Sequence, residues 1–151
     1  MQYITYFDFD DLVAKHDEVI RKSGGLIGVF NEGLLKGCLD FIQDDKYYPD
    51  FEAKITHLVF SIAKNHGFFD GNKRTAIVAG AYFLELNAYD QYIVDVFMRN
   101  MEGVVLLVAQ NMLLKKQLKQ IIGDLINYGE MTDDSKMIYV ELLGGAGEVG
   151  K

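Results

Sequence analysis

Apolar residues recur at steps of three and four along most of this chain, the spacing that lines one face of a helix. The first run, Leu12, Val13, Val19 and Ile20, follows the acids Asp8, Asp10 and Asp11. Acids in a first turn suit the positive end of the helix dipole, so the pattern predicts a helix running to about Lys22 and ended by Gly24-Gly25. Asn31 is an N-cap residue type ahead of Leu34, Leu35, Cys38, Leu39 and Ile42, a second, shorter helix. The polar stretch 43–50 holds the single proline, Pro49, and the adjacent Tyr47 and Tyr48; it predicts a loop or a short extended flap.

A third helix begins at about Phe51 with Ile55, Leu58, Val59 and Ile62, and the next position of that series is His66, at the end of a buried stripe. Residues 67–71 interrupt the pattern. A helix must then start at about Asn72, because 75–86 is apolar on nearly every side, with Glu85 its only charge. A helix hydrophobic all round belongs at the centre of a bundle. Further helices are predicted from Arg99 to Leu114 and from Lys115 to Asn127. After Gly129 the character changes to an acidic patch, Thr132 to Ser135, and one apolar segment, Met137 to Leu143, which predicts a strand or a docking tail with a fraying glycine-rich end. The chain thus divides into a helical domain over 1–128 and a tail over 129–151.

Composition supports that reading. The 151 residues are 50% apolar and 13% aromatic, which excludes a disordered chain, and one proline leaves helices uninterrupted. The fold class expected is all-α, a compact helical bundle. The net charge of −7 argues against direct binding of nucleic acid through counterion release. Cys38 is the only cysteine, so no intrachain disulfide or multi-cysteine zinc site exists, which fits a reducing cytoplasm. Neither a signal peptide nor a stretch long enough to cross a membrane is recognisable.

Charge then locates the chemistry. Residues 1–65 and 76–151 each carry −4, whereas 66–75 carry +1. That window reads His-Gly-Phe-Phe-Asp-Gly-Asn-Lys-Arg-Thr. A helix start offers free N–H groups and a positive dipole end, and Lys73 and Arg74 add two cations where the dipole disfavours them, which implies a bound anion, most simply a polyphosphate. Gly71 can take a positive φ angle and let an oxyanion approach the backbone. Asp70 beside a phosphate site suits Mg²⁺, which takes one or two carboxylates plus substrate phosphates. Histidine exchanges protons near neutral pH, so His66 fits a general base on an attacking hydroxyl. Phe68 is expected to point inward as the plug of the loop. Base, metal ligand and phosphate cradle within ten residues are the parts of a phosphoryl- or nucleotidyl-transfer enzyme.

The window resembles the motif H-x-F-x-[D/E]-G-N-[G/K]-R of the Fic/Doc family. Further likeness to the small death-on-curing branch lies in Leu12 to Arg21, Gly24-Gly25, Glu32 to Leu35, Ala63 to Asn65 and Phe83 to Asn87, so that the resemblance covers roughly residues 3 to 127. It implies a Fic-type bundle whose central helix follows the motif loop. Lys73 stands where AMP-transferring members resemble a glycine, and Ile77 where they resemble a second arginine. Both departures imply a toxin kinase of a toxin–antitoxin pair, passing the γ-phosphoryl of ATP to a hydroxyl of a protein such as an elongation factor of the Tu type, with an antitoxin as partner. Under this resemblance His66 is the base, Asp70 orients Mg²⁺ or the attacking group, Gly71 and Asn72 form the anion hole, and Lys73 and Arg74 hold phosphates. Tyr47 and Tyr48 lie where a target-docking flap is expected. Glu32-Gly33 nearly meets the family's inhibitory motif, but Gly28 occupies its Ser/Thr position.

Other readings of the same residues are an AMP- or other nucleotidyltransferase that tolerates Lys73, and a catalytically silent module that binds an antitoxin. His16 and His57 lack the company of a motif and are expected to be structural or surface residues, Phe68 and Phe69 core residues, and Cys38 an inert core thiol.

Overall fold

The computed structural model describes residues 3–149, and among them the chain forms seven helices and no strand. Helix α1 (Phe9–Ser23) starts as its acids predict: Asp8 accepts the Asp11 N–H at 2.9 Å while Asp11 accepts the Asp8 N–H at 3.2 Å, a reciprocal capping box. Asn31 caps α2 (Glu32–Phe41) by accepting the Leu34 N–H. Asp50 caps α3 (Phe51–Lys64) in the same way through Ala53. Helix α4 (Asn72–Leu86) has no side-chain cap, so its first N–H groups are left open to a ligand or solvent.

Helix α4 is the centre of the bundle and packs on α1, α3 and α5 (Gln91–Ala109). Ala76, Ala79, Phe83 and Leu84 are fully buried along it. A Cβ at Gly80 would lie 2.7 Å from Phe97 and 3.0 Å from Val59, so this glycine sets how closely α3 and α5 approach. Burial of side chains such as Phe83 and Phe97 stabilises the bundle by about 1.5–3 kcal/mol each.

Three elements differ in whole or in part from their expected form. Helix α5 starts at Gln91 instead of Arg99, because Asp90 accepts the Ile93 N–H as an N-cap, and it ends at Ala109 instead of Leu114, where Asn111 turns to φ 60°. The segment 43–50 takes the first of its two expected forms, a loop made of turns, and not the extended flap. Its Asp45, with the Ile42 carbonyl, receives the ammonium of buried Lys54, each at 2.7 Å.

The third difference is the tail. Helix α6 (Lys115–Tyr128) ends at Gly129, whose φ of 75° allows the reversal, and α7 (Asp133–Val149) follows as a helix instead of a strand, docked on the bundle as the other expected form, a docking tail, implies. Asp124 on α6 accepts the N–H and hydroxyl of Thr132 and the hydroxyl of Ser135, at 3.0, 2.7 and 2.5 Å. Burial pushes the Asp124 carboxyl up, but these donors outweigh it and hold the group below the usual carboxylate range. Ile138, Tyr139 and Leu142 pack against the core, with Tyr139 in the space beside Gly103 of α5. The last two residues, at the end where fraying was expected, lie outside the described ones.

Candidate active site

The motif loop is held from both sides. Helix α3 stops at Lys64, and His66 takes φ 51°, so the residue leaves the buried stripe that its spacing predicted and stands exposed beyond the helix end. A left-handed residue cannot continue the helix, and the imidazole is thereby turned from core to solvent. The next residues pair with the connection between α1 and α2. The Gly67 carbonyl accepts the N–H groups of Phe30 and Asn31 at 2.8 and 2.9 Å, and Gly28 accepts the Phe69 N–H at 3.2 Å. An antiparallel bridge joins Val29 to Phe68. The extended segment beside the motif is therefore 28–31 and not 43–50.

Phe68 points inward as expected and is 1% exposed. The ring of His16, from α1, stacks on it at 3.8 Å, and His16 Nε2–H donates to the Asp70 carbonyl at 2.7 Å. Asn72 closes the loop from the other end: Oδ1 accepts the Phe68 N–H at 3.0 Å and Nδ2 donates to the Phe68 carbonyl at 2.9 Å. Its side-chain amide is thus spent on the loop, and only its backbone N–H faces the helix start. Gly71 adopts φ 76°, and a Cβ there would approach Ile20 Cδ1 to 3.0 Å. Phe69 is a correction: it is 53% exposed and packs edge-on against exposed Phe30 at 5.4 Å.

Asp70 Oδ2 accepts the Leu26 N–H at 2.8 Å. One carboxylate oxygen thus serves the fold, leaving Oδ1 for a cation. Among the described residues no group of three or more His, Cys, Asp or Glu side chains is placed to hold a metal ion by itself. The donor set fits Mg²⁺ only as an ion carried in with phosphate oxygens.

Lys73 and Arg74 project into a cleft of about 910 Å³ between α1, α4 and α5. Lys15, Lys22 and Arg99 line it too, against the acids Glu18 and Glu102, so five cations converge in a chain whose net charge is −7. Arg74 Nη1 donates to Ser23 Oγ at 2.6 Å. The cations outside the motif were not singled out from sequence; the one signal was the seven-residue step from Lys15 to Lys22, which repeats along one helix face.

The tyrosines of 43–50 are not part of this arrangement. Tyr48 turns inward to His57, its OH 3.1 Å from Nδ1, and His57 lies about two helical turns before the end of α3, away from His66 in sequence. Tyr47 is exposed. Cys38 is a buried thiol, and burial pushes it up to about 12.

An uncapped central helix, opened by a left-handed glycine, flanked by cations and preceded by a clamped loop carrying a solvent-facing histidine, defines an all-α protein whose core helix starts on free N–H groups beside a cationic cleft. The Fic/DOC family profile matches residues 6–84, and the chain belongs to that family. It is 35% identical over 82 residues to the protein kinase Doc of Escherichia phage P1, covering 52% of this chain and 64% of that protein. It is 40% identical over 86 residues to the toxin Doc of Mycolicibacterium smegmatis, 54% of this chain and 64% of that one. The chain thus spans somewhat less than two thirds of either relative.

Proposed function

We propose that this protein is a Doc-like toxin that transfers the γ-phosphoryl group of ATP to a serine or threonine hydroxyl of a protein target. The observation that carries the proposal is the open N-terminus of α4, with Gly71 at φ 76° and Lys73 and Arg74 in its first turn. A relative at 35% identity bears the name protein kinase, which supports phosphoryl transfer over a silent binding role.

In this mechanism the backbone N–H groups after Gly71, with Lys73 and Arg74, bind the phosphates and stabilise charge that develops on their oxygens. His66 takes the proton from the target hydroxyl. The new bond forms between that oxygen and the γ-phosphorus, the bond to the β–γ bridging oxygen breaks, and ADP leaves. Mg²⁺, when brought in with the nucleotide, would neutralise phosphate charge, and Asp70 Oδ1 would hold it. His16, Asn72 and Leu26 keep the loop in place during the step. The target would lie across the 28–31 segment, where Leu26, Ile27, Phe30 and Phe69 are exposed beside the loop. An elongation factor of the Tu type is the proposed target, an antitoxin the proposed partner, and the cytoplasm the proposed location. No helix among the described residues is long and apolar enough to cross a membrane.

Incubation with a lysate and ATP labelled at either the α- or the γ-phosphate tests the reading. Transfer of γ-label to a protein band, lost in His66→Ala, is expected. Transfer of α-label would instead make the protein a nucleotidyltransferase. Growth arrest on expression that persists in His66→Ala would make it a binding module.

A further inference from the structure

Away from the motif, Lys115 is a half-buried amine in unusual company. It opens α6, where the helix dipole disfavours a cation, and its Nζ donates to His57 Nδ1 on α3 at 2.7 Å. The Tyr48 hydroxyl approaches the same Nδ1 at 3.1 Å, and His57 Nε2 lies 3.3 Å from Ser61 Oγ. One consistent tautomer follows: Nε2–H donates to Ser61, and Nδ1 is the acceptor. The rings of Tyr48 and Phe60 lie 5.2 and 5.9 Å from Nζ.

The polar groups of this cluster are Cys38 from α2, Tyr48 from the 43–50 turns, and His57 and Ser61 from α3. None is an anion at neutral pH, since burial pushes the Cys38 thiol up to about 12 and raises the Tyr48 phenol. Among the described residues Lys115 has no carboxylate partner. Lys54 is the contrast: it is more deeply buried, but Asp45 and the Ile42 carbonyl hold it as an ammonium. Burial lowers the Lys115 amine with nothing of that kind to restore it.

We propose that Lys115 is a nucleophilic amine and a site of covalent acylation by small activated acyl donors, acyl phosphates or thioesters, with His57 Nδ1 holding the amine in place. The Nζ lone pair attacks the donor's carbonyl carbon. The C–N bond forms, the bond to the phosphate oxygen or thiol sulfur breaks, and that leaving group departs with the electron pair. The proton lost from the nitrogen passes to the leaving group or to solvent, while a remaining N–H stays directed at His57 Nδ1. Acylation replaces an ammonium by a neutral amide and removes two of the N–H donors that face the cluster.

The test is treatment of the full chain with limiting acetyl phosphate at neutral pH, followed by peptide mass spectrometry. Lys116, the next residue of the same helix end and exposed, is the internal comparator. Burial of its amine and the hydrogen bond to His57 should make Lys115 acetylate several-fold faster than Lys116. His57→Phe should remove that advantage without changing Lys116. A second measurement on the unaltered protein serves if that variant does not fold: the excess of Lys115 over Lys116 acetylation should shrink as the pH is raised. Acetylation of Lys115 no faster than that of Lys116, or an excess that does not change with pH, overturns the proposal.

Discussion

His16 lies face to face with Phe68, ring centroids 3.8 Å apart and planes within 4°, while its Nε2–H holds the Asp70 carbonyl. One side chain from α1 therefore fixes both the plug of the motif loop and the residue that would meet the metal. In His16→Phe the stack can persist, but the carbonyl loses its donor, at a cost of about 1–3 kcal/mol. We expect a modest drop in melting temperature and a much larger loss of ATP-dependent labelling. Unchanged labelling would mean that the loop holds its shape without the hydrogen bond.

Gly71→Ala probes the cradle. Alanine at φ 76° is strained by about 1–2 kcal/mol, and its Cβ would press on Ile20 Cδ1. The loop should shift away from the α4 start, weakening ATP binding measured by calorimetry while the helical circular dichroism stays the same. ATP affinity equal to that of the parent chain would remove Gly71 from the anion site.

Asp124→Ala should release the last helix. The variant loses the acceptor shared by Thr132 and Ser135, a cost of about 1–3 kcal/mol concentrated on α7. Limited proteolysis should then cut between Gly129 and Ser135 well before the bundle unfolds, and hydrogen exchange should quicken in 133–144 but not in α4. Equal protection of α7 in the two proteins would assign its stability to Ile138, Tyr139 and Leu142 alone.

Acid should loosen the 43–50 segment through His57. Burial, then the nearby Lys115 cation, lowers this imidazole to about 4 from an ordinary value near 6.5. The folded protein thus binds the proton less readily than the unfolded chain. The stabilisation is complete above about pH 6.5 and is lost as the pH falls towards 4, by about 1–2 kcal/mol after allowance for partial exposure. Chemical denaturation at several pH values should show this slope in the parent chain and not in His57→Phe.

Much of the fold is legible because caps and stripes are local. Asp8 with Asp11, and Asn31 with Leu34, lie three residues apart, and the apolar run 75–86 can only be a buried helix. What escaped depends on distant partners or on one backbone angle. Thr132-Asp133-Asp134-Ser135 is a helix start, but its decisive acceptor, Asp124, belongs to another helix. His66 continues the α3 spacing and leaves the helix only because of its left-handed φ. The tyrosines before Pro49 drew attention as a flap, whereas the segment that pairs with the motif, 28–31, follows a pair of glycines and shows no strand pattern. The motif residues themselves were readable from sequence; their supports, His16, Ser23 and Leu26, carry no local signature.

The bridge between Val29 and Phe68 has a further consequence for transplanting this chemistry. Residues 66–74 hold the groups expected to act on the phosphates and the target hydroxyl, yet their shape is borrowed from α1 and the segment after it. Grafted alone onto another helix pair, the nine residues would keep their composition and lose their geometry. The smallest portable unit therefore begins at α1, and substitutions in 16–31 should limit what any engineered version of the loop can do.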